Sequence, residues 1–264
     1  MQTIEEIQNF KGKYPKQLWY LFTVEMWERF CFYGMRGVLT FFMVDQLLLK
    51  DGAANLQYGA IQAFVYAFTF IGGIFADKVL GFRKSLFFGG IVMILGNLLI
   101  AFAPQDLFYY GLAFSIIGTG FFKPNISSMV GELYHESDHR RDAGYGMFYA
   151  GINIGGFFGG ILCIYLGKYY SWQLCFLSAA IVMMFGLLTF LFTKKHLGPI
   201  GDSPLLHLEP SKRKIREIAV YLGSILSIPF IFIMVKNTDF TDYFMYTIGI
   251  VAVVYFIYEV LKLG

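Results

Sequence analysis

Eight apolar blocks, each long enough to cross a lipid bilayer, constrain the fold of this chain more than any other feature. A helix needs about 20 predominantly apolar residues to span the hydrocarbon core of a membrane. Only 15% of the residues are Asp, Glu, Lys or Arg, against about 25% in an average soluble domain. The predicted spans are Leu18–Leu49, Tyr58–Ala76, Ser85–Ala103, Leu107–Val130, Tyr145–Leu166, Trp172–Phe192, Ile218–Val235 and Tyr243–Leu261.

The composition excludes several other classes of protein. A disordered chain and a coiled coil both need far more charge than this sequence has. The net charge of +3 is too small for a global basic field, so no nucleic-acid partner is expected. The sequence therefore predicts an all-α protein whose main partner is the lipid bilayer.

The positions of Lys and Arg predict the orientation of the spans. Cytoplasmic segments carry an excess of these residues. If the N-terminus is cytoplasmic, 15 of the 21 Lys and Arg residues fall on the inner side and 3 on the outer side, namely Lys50, Lys168 and Lys236. The sequence thus predicts a multi-pass protein with both ends of this chain cytoplasmic. The remaining three cations, Arg29, Arg36 and Lys123, lie within spans.

Charged residues inside spans mark a functional site. Each costs about 2.5–3.5 kcal/mol on insertion scales and is functional by default. Glu25, Glu28, Arg29 and Arg36 fall on one face of the first span, because helical residues advance by 100°. With Lys123 on the fourth span, the five side chains sum to a charge of +1. Such a layer can hold a carboxylate, and a static ion-pair network joining the two spans is the structural alternative.

Tyr66 and Asn153 extend this layer to two further spans. Counted at 1.5 Å per residue, both lie near the depth of Glu25 and Lys123, just inside the midplane. Transporter substrate sites are usually near this depth. Glycine-rich second and fifth spans, with Gly151, Gly155 and Gly159 in one row, are typical of close helix packing and of a three-plus-three inverted repeat.

Four motifs resemble those of proton-dependent oligopeptide transporters in the major facilitator superfamily. Residues 25–34, EMWERFCFYG, are similar to the ExxERFxYYG signature of the first helix. Residues 121–125, FFKPN, and residues 148–155, FYAGINIG, resemble the motifs of the fourth and fifth helices. Gly73, Asp77, Gly81, Arg83 and Lys84 resemble the inner-loop motif of the superfamily.

The resemblance implies a role for each matched residue. Glu25, Glu28 and Arg29 match the proton-coupling motif, which includes a salt bridge to Lys123. Substrate-binding positions are matched by Tyr33, Arg36, Tyr66, Lys123 and Asn153. The basic pair among them would receive the C-terminal carboxylate of a peptide. Asp77 and Arg83 match a gate or latch. No metal and no cofactor is implied, apart from protons as the coupling ion.

The resemblance also implies a domain division. Residues 1–197 would form the N-terminal six-helix bundle of the major facilitator fold, residues 198–217 a linker, and residues 218–264 an extra helix pair. The C-terminal bundle would be a missing partner, so the chain is interpreted as an N-terminal half; a half transporter that dimerises is the alternative. Phe32 departs from the family motif, which has tyrosine there, and leaves side-chain preference open.

The implied function is proton-coupled symport of di- and tripeptides across a bacterial inner membrane, which is not an enzymatic activity. Alternatives are transport of another small anion, such as nitrate or an amino-acid conjugate, and a non-transporting scaffold. His135, Glu136 and His139 satisfy HExxH, so a membrane protease is a further alternative, although the motif lies in a charged loop. Cys31, Cys163 and Cys175 fall within spans, so no disulfide framework is expected.

Overall fold

The fold consists of helices packed side by side, as the apolar blocks predict. The computed structural model describes residues 3–263, although only some of the side chains between residues 242 and 263. Within that range there is no strand. The helices are α1 (Ile4–Gln8), α2 (Lys16–Asp45), α3 (Asp51–Phe75), α4 (Phe82–Phe102), α5 (Phe108–Glu132), α6 (Arg140–Tyr169), α7 (Trp172–Thr193), α8 (Pro210–Leu226), α9 (Ile228–Lys236) and α10 (Thr238–Leu263).

In the part of the chain that the structure describes, five helical segments are long and apolar enough to cross a membrane. They are Asp51–Leu80, Phe82–Phe102, Arg140–Tyr169, Trp172–Leu197 and Pro210–Lys236. Helices α2 and α5, at 30 and 25 residues, have similar lengths and pack among them. Helix α2 carries Glu25, Glu28, Arg29 and Arg36, and these charged residues lower its mean hydropathy although the helix is long enough to cross a membrane.

Helices α2–α7 form a bundle with internal pseudo-symmetry. Helix α2 packs along α6, and the corresponding pair in the other half is α5 with α3. Likewise α4 packs along α5, and the corresponding pair is α7 with α2. Helices α4 and α7 also contact each other. These pairs are related if α2–α4 and α5–α7 are two equivalent halves, so the predicted three-plus-three arrangement is confirmed.

Glycines allow the closest helix contacts in this bundle. A methyl group at Gly155 or Gly159 of α6 would collide with the backbone carbonyls of Met26 and Phe30 on α2. The equivalent contact between α3 and α5 involves Gly72 and Gly120. The carbonyl of Gly120 is the one that loses its helical partner at Pro124, and α5 continues through this proline as one helix.

Turn residues define the end of the bundle that holds the loops richest in Lys and Arg, called the basic end below. Here α3 closes with a π turn, Ala76–Leu80, and Gly81 links it to α4 with φ of 77°. A side chain at Gly81 would be strained and would meet the backbone of Asp202 and Ser203. The first residues of α2 lie at the same end, since the amide of Gln17 donates to the carbonyl of His196.

The segment after α7 differs from the predicted linker. Pro204–His207 forms a short 3-10 helix, and α8 begins at Pro210, so the last eight residues of the linker predicted at 198–217 are helical. Proline is favoured in a first helical turn, where its missing N–H has no partner to lose. Pro229 then separates α8 from α9, and α9 packs on α3 and α5.

Candidate functional site

The first part of the site is an ionic triad buried in α2. Glu25, Glu28 and Arg29 have exposed fractions of 1%, 0% and 1%. Arg29 Nε lies 3.0 Å from Glu25 Oε1 and also donates to the carboxylate of Glu28. The helical spacing of four residues brings Glu25 and Arg29 together on one face. The triad holds two carboxylates and one guanidinium, so its formal charge is −1.

The triad leaves polar atoms unused. Glu25 Oε2, Glu28 Oε1 and Arg29 Nη2 are buried and have no hydrogen-bond partner in the described part of the chain. A buried carboxylate without a full set of partners is unfavourable, and a net buried charge more so. The arrangement can therefore accept a proton on a carboxylate or a further cation.

Lys123 on α5 does not complete the triad. No carboxylate of a described residue lies within 4.0 Å of Lys123 Nζ, so the salt bridge that the resemblance implies is not formed here. The ammonium group instead lies 5.6 Å from the ring centroid of Tyr66, whose side chain is largely exposed. The face of an aromatic ring attracts a cation. Lys123 is half-buried, close enough to sense the charges of the triad and of Arg36.

Arg36 is held by two tyrosines. Its Nε donates to the hydroxyl of Tyr58 at 2.6 Å, and its guanidinium carbon lies 5.9 Å from the Tyr33 ring centroid and 5.7 Å from that of Tyr58. Bonding through Nε leaves both terminal nitrogens for the paired contact that a carboxylate makes. Sequence reasoning missed Tyr58, although its spacing of eight residues from Tyr66 places both on one face of α3.

The other predicted binding residues lie around this arrangement. Asn153 is exposed on α6. One turn further along α6, Gly156 abuts the ring of Tyr33. Phe32 is buried, with the Arg29 guanidinium 5.0 Å from its ring centroid. The residue that departs from the family motif therefore contacts the triad and does not add to the exposed part of the site.

The predicted gate residues do not pair with each other. Arg83 lies 3.3 Å from Asp202 and donates to the carbonyl of Gly198, while Asp77 is exposed without an ion pair to any described residue. Glu132, at the end of α5, accepts the N–H of Gly201 at 3.0 Å, and burial raises the pKa of its carboxyl. The basic end is thus closed by contacts to residues 198–202, which local motifs could not predict.

The HExxH pattern does not form a metal site in the described residues. His135, Glu136 and His139 are exposed in the α5–α6 loop, and no group of three His, Cys, Asp or Glu side chains able to hold a metal was found among those residues. Asp138 of the same loop binds Arg140 at 2.7 Å, and this hydrogen bonding lowers the pKa of Asp138 to about 2. Arg140 also donates to carbonyls of Phe10 and Gly12, which ties the N-terminal segment to the loop.

This chain is similar to proteins that are named as transporters. A sequence model described as the POT family matches residues 83–206. The chain is 35% identical over 254 residues to an uncharacterized transporter, YclF, of Bacillus subtilis (strain 168), covering 92% of this chain and 51% of the relative. It is 34% identical over 194 residues to a dipeptide and tripeptide permease A of Cronobacter turicensis, covering 73% and 39%.

Solved structures extend the likeness to the fold. A crystal structure of a peptide transporter POT in complex with sulfate superposes with a TM-score of 0.74 at 32% identity, covering 99% of this chain and 56% of that one. The chain thus spans about half the length of the relatives that it matches.

Proposed function

Because this chain belongs to the POT family, we propose that it forms the N-terminal half of a transporter that carries di- and tripeptides with protons across a bacterial inner membrane. The observation that carries the proposal is the pair of separated cations, Arg36 and Lys123. Each contacts a tyrosine, and neither has a carboxylate of a described residue within 4.0 Å. Two cations without counter-ions in a membrane protein favour an anionic ligand. The sulfate bound by a related peptide transporter is consistent with such a ligand.

Substrate binding follows from the exposed part of the site. Arg36, presented by Tyr58 and Tyr33, and Lys123, beside Tyr66, would receive the C-terminal carboxylate of a peptide. Asn153, exposed on α6, would bind polar backbone groups. A second bundle, in the part of the relatives that this chain does not span, would bind the peptide amine. The division into a bundle of residues 1–197, a connection and an extra helix pair belongs to the same proposal.

Proton coupling follows from the buried part. With both carboxylates ionised, the triad of Glu25, Glu28 and Arg29 carries a net negative charge away from water, which a single proton would neutralise. Without that proton, a shift of Lys123 towards the triad would supply the missing positive charge. Binding of a peptide carboxylate to Lys123 and protonation of the triad would therefore favour each other.

The orientation and the gate are part of this proposal. The excess of Lys and Arg at the basic end favours a cytoplasmic position for that end and for both ends of this chain. Arg83, through Asp202 and Gly198, would hold the cytoplasmic end of the bundle closed against residues 198–202, and Asp77 would join this latch in another state of the transport cycle.

The experiment is uptake of a labelled dipeptide by proteoliposomes that contain the full-length protein carrying this chain. An inward proton gradient should drive accumulation, and unlabelled tripeptide should compete. Lys123→Met should abolish uptake, whereas Lys168→Met, which removes a lysine at the other end of the bundle, should not.

Two further variants test the coupling separately. Glu25→Gln and Glu28→Gln should abolish accumulation while retaining exchange of dipeptide between the two sides. Uptake that is indifferent to Lys123 would refute the binding site, and accumulation unaffected by both glutamine variants would refute the coupling. Inhibition by nitrate or an amino-acid conjugate, but not by dipeptides, would favour transport of another small anion.

A further inference from the structure

A groove at the basic end lies between α4, α7 and α8, away from the proposed substrate site. Its volume is about 640 Å³. Its walls come from the first three turns of α4, the last turn of α7 with the two lysines that follow it, residues 201–203 and Tyr221 of α8. From Ser85 to the end of α4, and throughout α7, there is no Asp, Glu, Lys or Arg. The residues assigned to substrate binding lie on α2, α3, α5 and α6 instead.

The rim of this groove is cationic. Four basic side chains and one acidic side chain, Asp202, line it. Arg83 is paired with Asp202, and Lys84 lies 2.6 Å from Glu217 of α8. Lys194 and Lys195 are exposed in the 3-10 turn that follows α7, and they make no ion pair within 4.0 Å to a described residue. Two neighbouring lysines thus line the groove without a carboxylate of their own.

The wall beyond the rim is apolar and aromatic. Ile91 lies two turns along α4 from Lys84, about 10 Å deeper in the bundle at 1.5 Å per residue. On α7, Leu191 lies one turn deeper than Lys194. Phe88 and Tyr221 also line the groove, with ring centroids 4.8 Å apart. Both helices therefore present charge at the bundle end and hydrocarbon towards its middle.

This order of charge and hydrocarbon is that of a phospholipid with an anionic head group. A soluble anion would use the rim but not the apolar wall, and a neutral lipid would use the wall but not the lysines. Basic pockets between transmembrane helices on the cytoplasmic side bind anionic lipid head groups. The neighbouring start of α8 carries Lys212, Arg213, Lys214 and Arg216, which would concentrate anionic lipid at this end.

We propose that the α4–α7–α8 groove is a binding site for one anionic phospholipid of the inner leaflet. Its phosphate would lie against Lys194 and Lys195, and its acyl chains would follow Ile91 and Leu191. Because the groove is bounded by α4 and α7 of the bundle and by α8 of the extra pair, the lipid would connect these two parts. The site does not depend on transport.

Native mass spectrometry of the purified full-length protein that carries this chain tests the proposal. The protein is released from micelles that contain phosphatidylglycerol and phosphatidylcholine in equal amounts. We expect one phosphatidylglycerol to be retained in preference to phosphatidylcholine. The double variant Lys194→Gln/Lys195→Gln should lower this retention by about tenfold or more, since each lysine near a membrane surface contributes substantially to attraction of anionic lipid.

The matched control is Lys212→Gln/Lys214→Gln, which removes the same charge from α8 outside the groove. It should change retention by less than about twofold, because its lysines do not line the site. Ile91→Trp adds a second test by filling the acyl-chain wall without changing charge, and it should also reduce retention. Folding of every variant is checked by circular dichroism, and lysines 194 and 195 are exposed, so their replacement should be tolerated.

Three results would overturn the proposal. Equal losses of phosphatidylglycerol retention in the two double variants would show that the lipid is attracted by the basic surface as a whole and not by the groove. Equal retention of the two lipids in every variant would show no head-group recognition. Displacement of phosphatidylglycerol by millimolar glycerol 3-phosphate would show a site for a soluble phosphate. A transport defect in the full-length protein would bear on the proposed function and not on these measurements.

Discussion

Helices α2 and α5 occupy equivalent positions in the two halves of the bundle, yet their buried charges are satisfied in opposite ways. On α2, Arg29 is paired through its Nε with two carboxylates of the same helix. On α5, Lys123 has no carboxylate within 4.0 Å among the described residues and lies over a tyrosine ring of α3. The glycine contacts that hold each helix to its neighbour are similar. The pseudo-symmetry therefore determines the packing, while the chemistry differs between the halves.

The difference separates structural charges from available ones. A cation bonded to carboxylates within its own helix is needed for the stability of that helix in the membrane. A cation that contacts only an aromatic ring is not neutralised and can bind an anionic ligand. Removal of each should therefore have a different consequence.

The largest expected effect on stability is from Arg29→Met. It would leave two buried carboxylates without their cation, and breaking a buried pair costs about 3–5 kcal/mol. We expect the apparent unfolding temperature in detergent, followed by circular dichroism, to fall sharply, or no folded protein to be recovered. Lys123→Met is the control and should change stability by less than about 1 kcal/mol. Equal losses would contradict the distinction between α2 and α5.

The second largest effect should come from Gly155→Ala on α6. The new methyl group would collide with the carbonyl of Met26, and such overpacking costs about 1–3 kcal/mol. Gly160→Ala is the matched control, because nothing lies within 4 Å of its added methyl group. There alanine should be neutral or stabilising by up to about 1 kcal/mol.

The equivalent contact between α3 and α5 sharpens the comparison. Gly120→Ala would bring a methyl group against the backbone of Phe68 and should destabilise to a similar degree. If Gly155→Ala lowers the unfolding temperature and Gly120→Ala does not, the two helix contacts contribute differently to stability. The pseudo-symmetry would then hold for the backbone arrangement and not for the energetics of packing.

A smaller effect is expected from the tyrosines that hold the two available cations. Tyr58→Phe removes the hydrogen bond to Arg36 and keeps the ring, and a hydrogen bond to a charged group contributes about 1.5–3 kcal/mol. We expect the KM for dipeptide uptake by the full-length protein to rise by about tenfold or more. Tyr66→Phe keeps the ring under Lys123 and should change KM by less than about threefold. A KM unchanged by Tyr58→Phe would show that the hydroxyl of Tyr58 does not contribute to substrate binding.

The smallest effect concerns Asp138, in the loop that links α5 to α6. Its pKa of about 2 lies below the ordinary value of 3.8 for this side chain, so the stability that it adds is present above pH 4 and is lost as the pH falls towards 2. Asp138→Asn mimics the protonated form at neutral pH. It should release Arg140 and speed trypsin cleavage at Lys11 and Lys13 by at most about fivefold. His139→Gln is the control. An unchanged cleavage rate in Asp138→Asn would contradict the view that Arg140, held by Asp138, fixes the N-terminal segment to this loop.

Much of this arrangement could be predicted because it depends on neighbours along the chain. The spans at Tyr58–Ala76 and Tyr145–Leu166 extend further in the structure, to Asp51–Leu80 and Arg140–Tyr169, because polar residues at span ends continue the helix. The triad follows from its helical spacing. Tyr58 was missed because its partner, Arg36, lies on another helix. Asp202 and Glu132 were missed because they meet Arg83 and Gly201 only through the path of the segment after α7.

The sequence by itself determined the membrane class, the helical order, the family motifs and the buried charges, since each depends on composition or on spacing within one helix. Only the tertiary structure decided which partner each charge has. Lys123 contacts Tyr66 because glycines let α3 approach α5, and Arg36 contacts Tyr58 because α3 also packs beside α2. Arg83 binds residues 198–202 and not Asp77 because the chain folds back after α7. Partner choice depends on helix crossings, which no local pattern encodes.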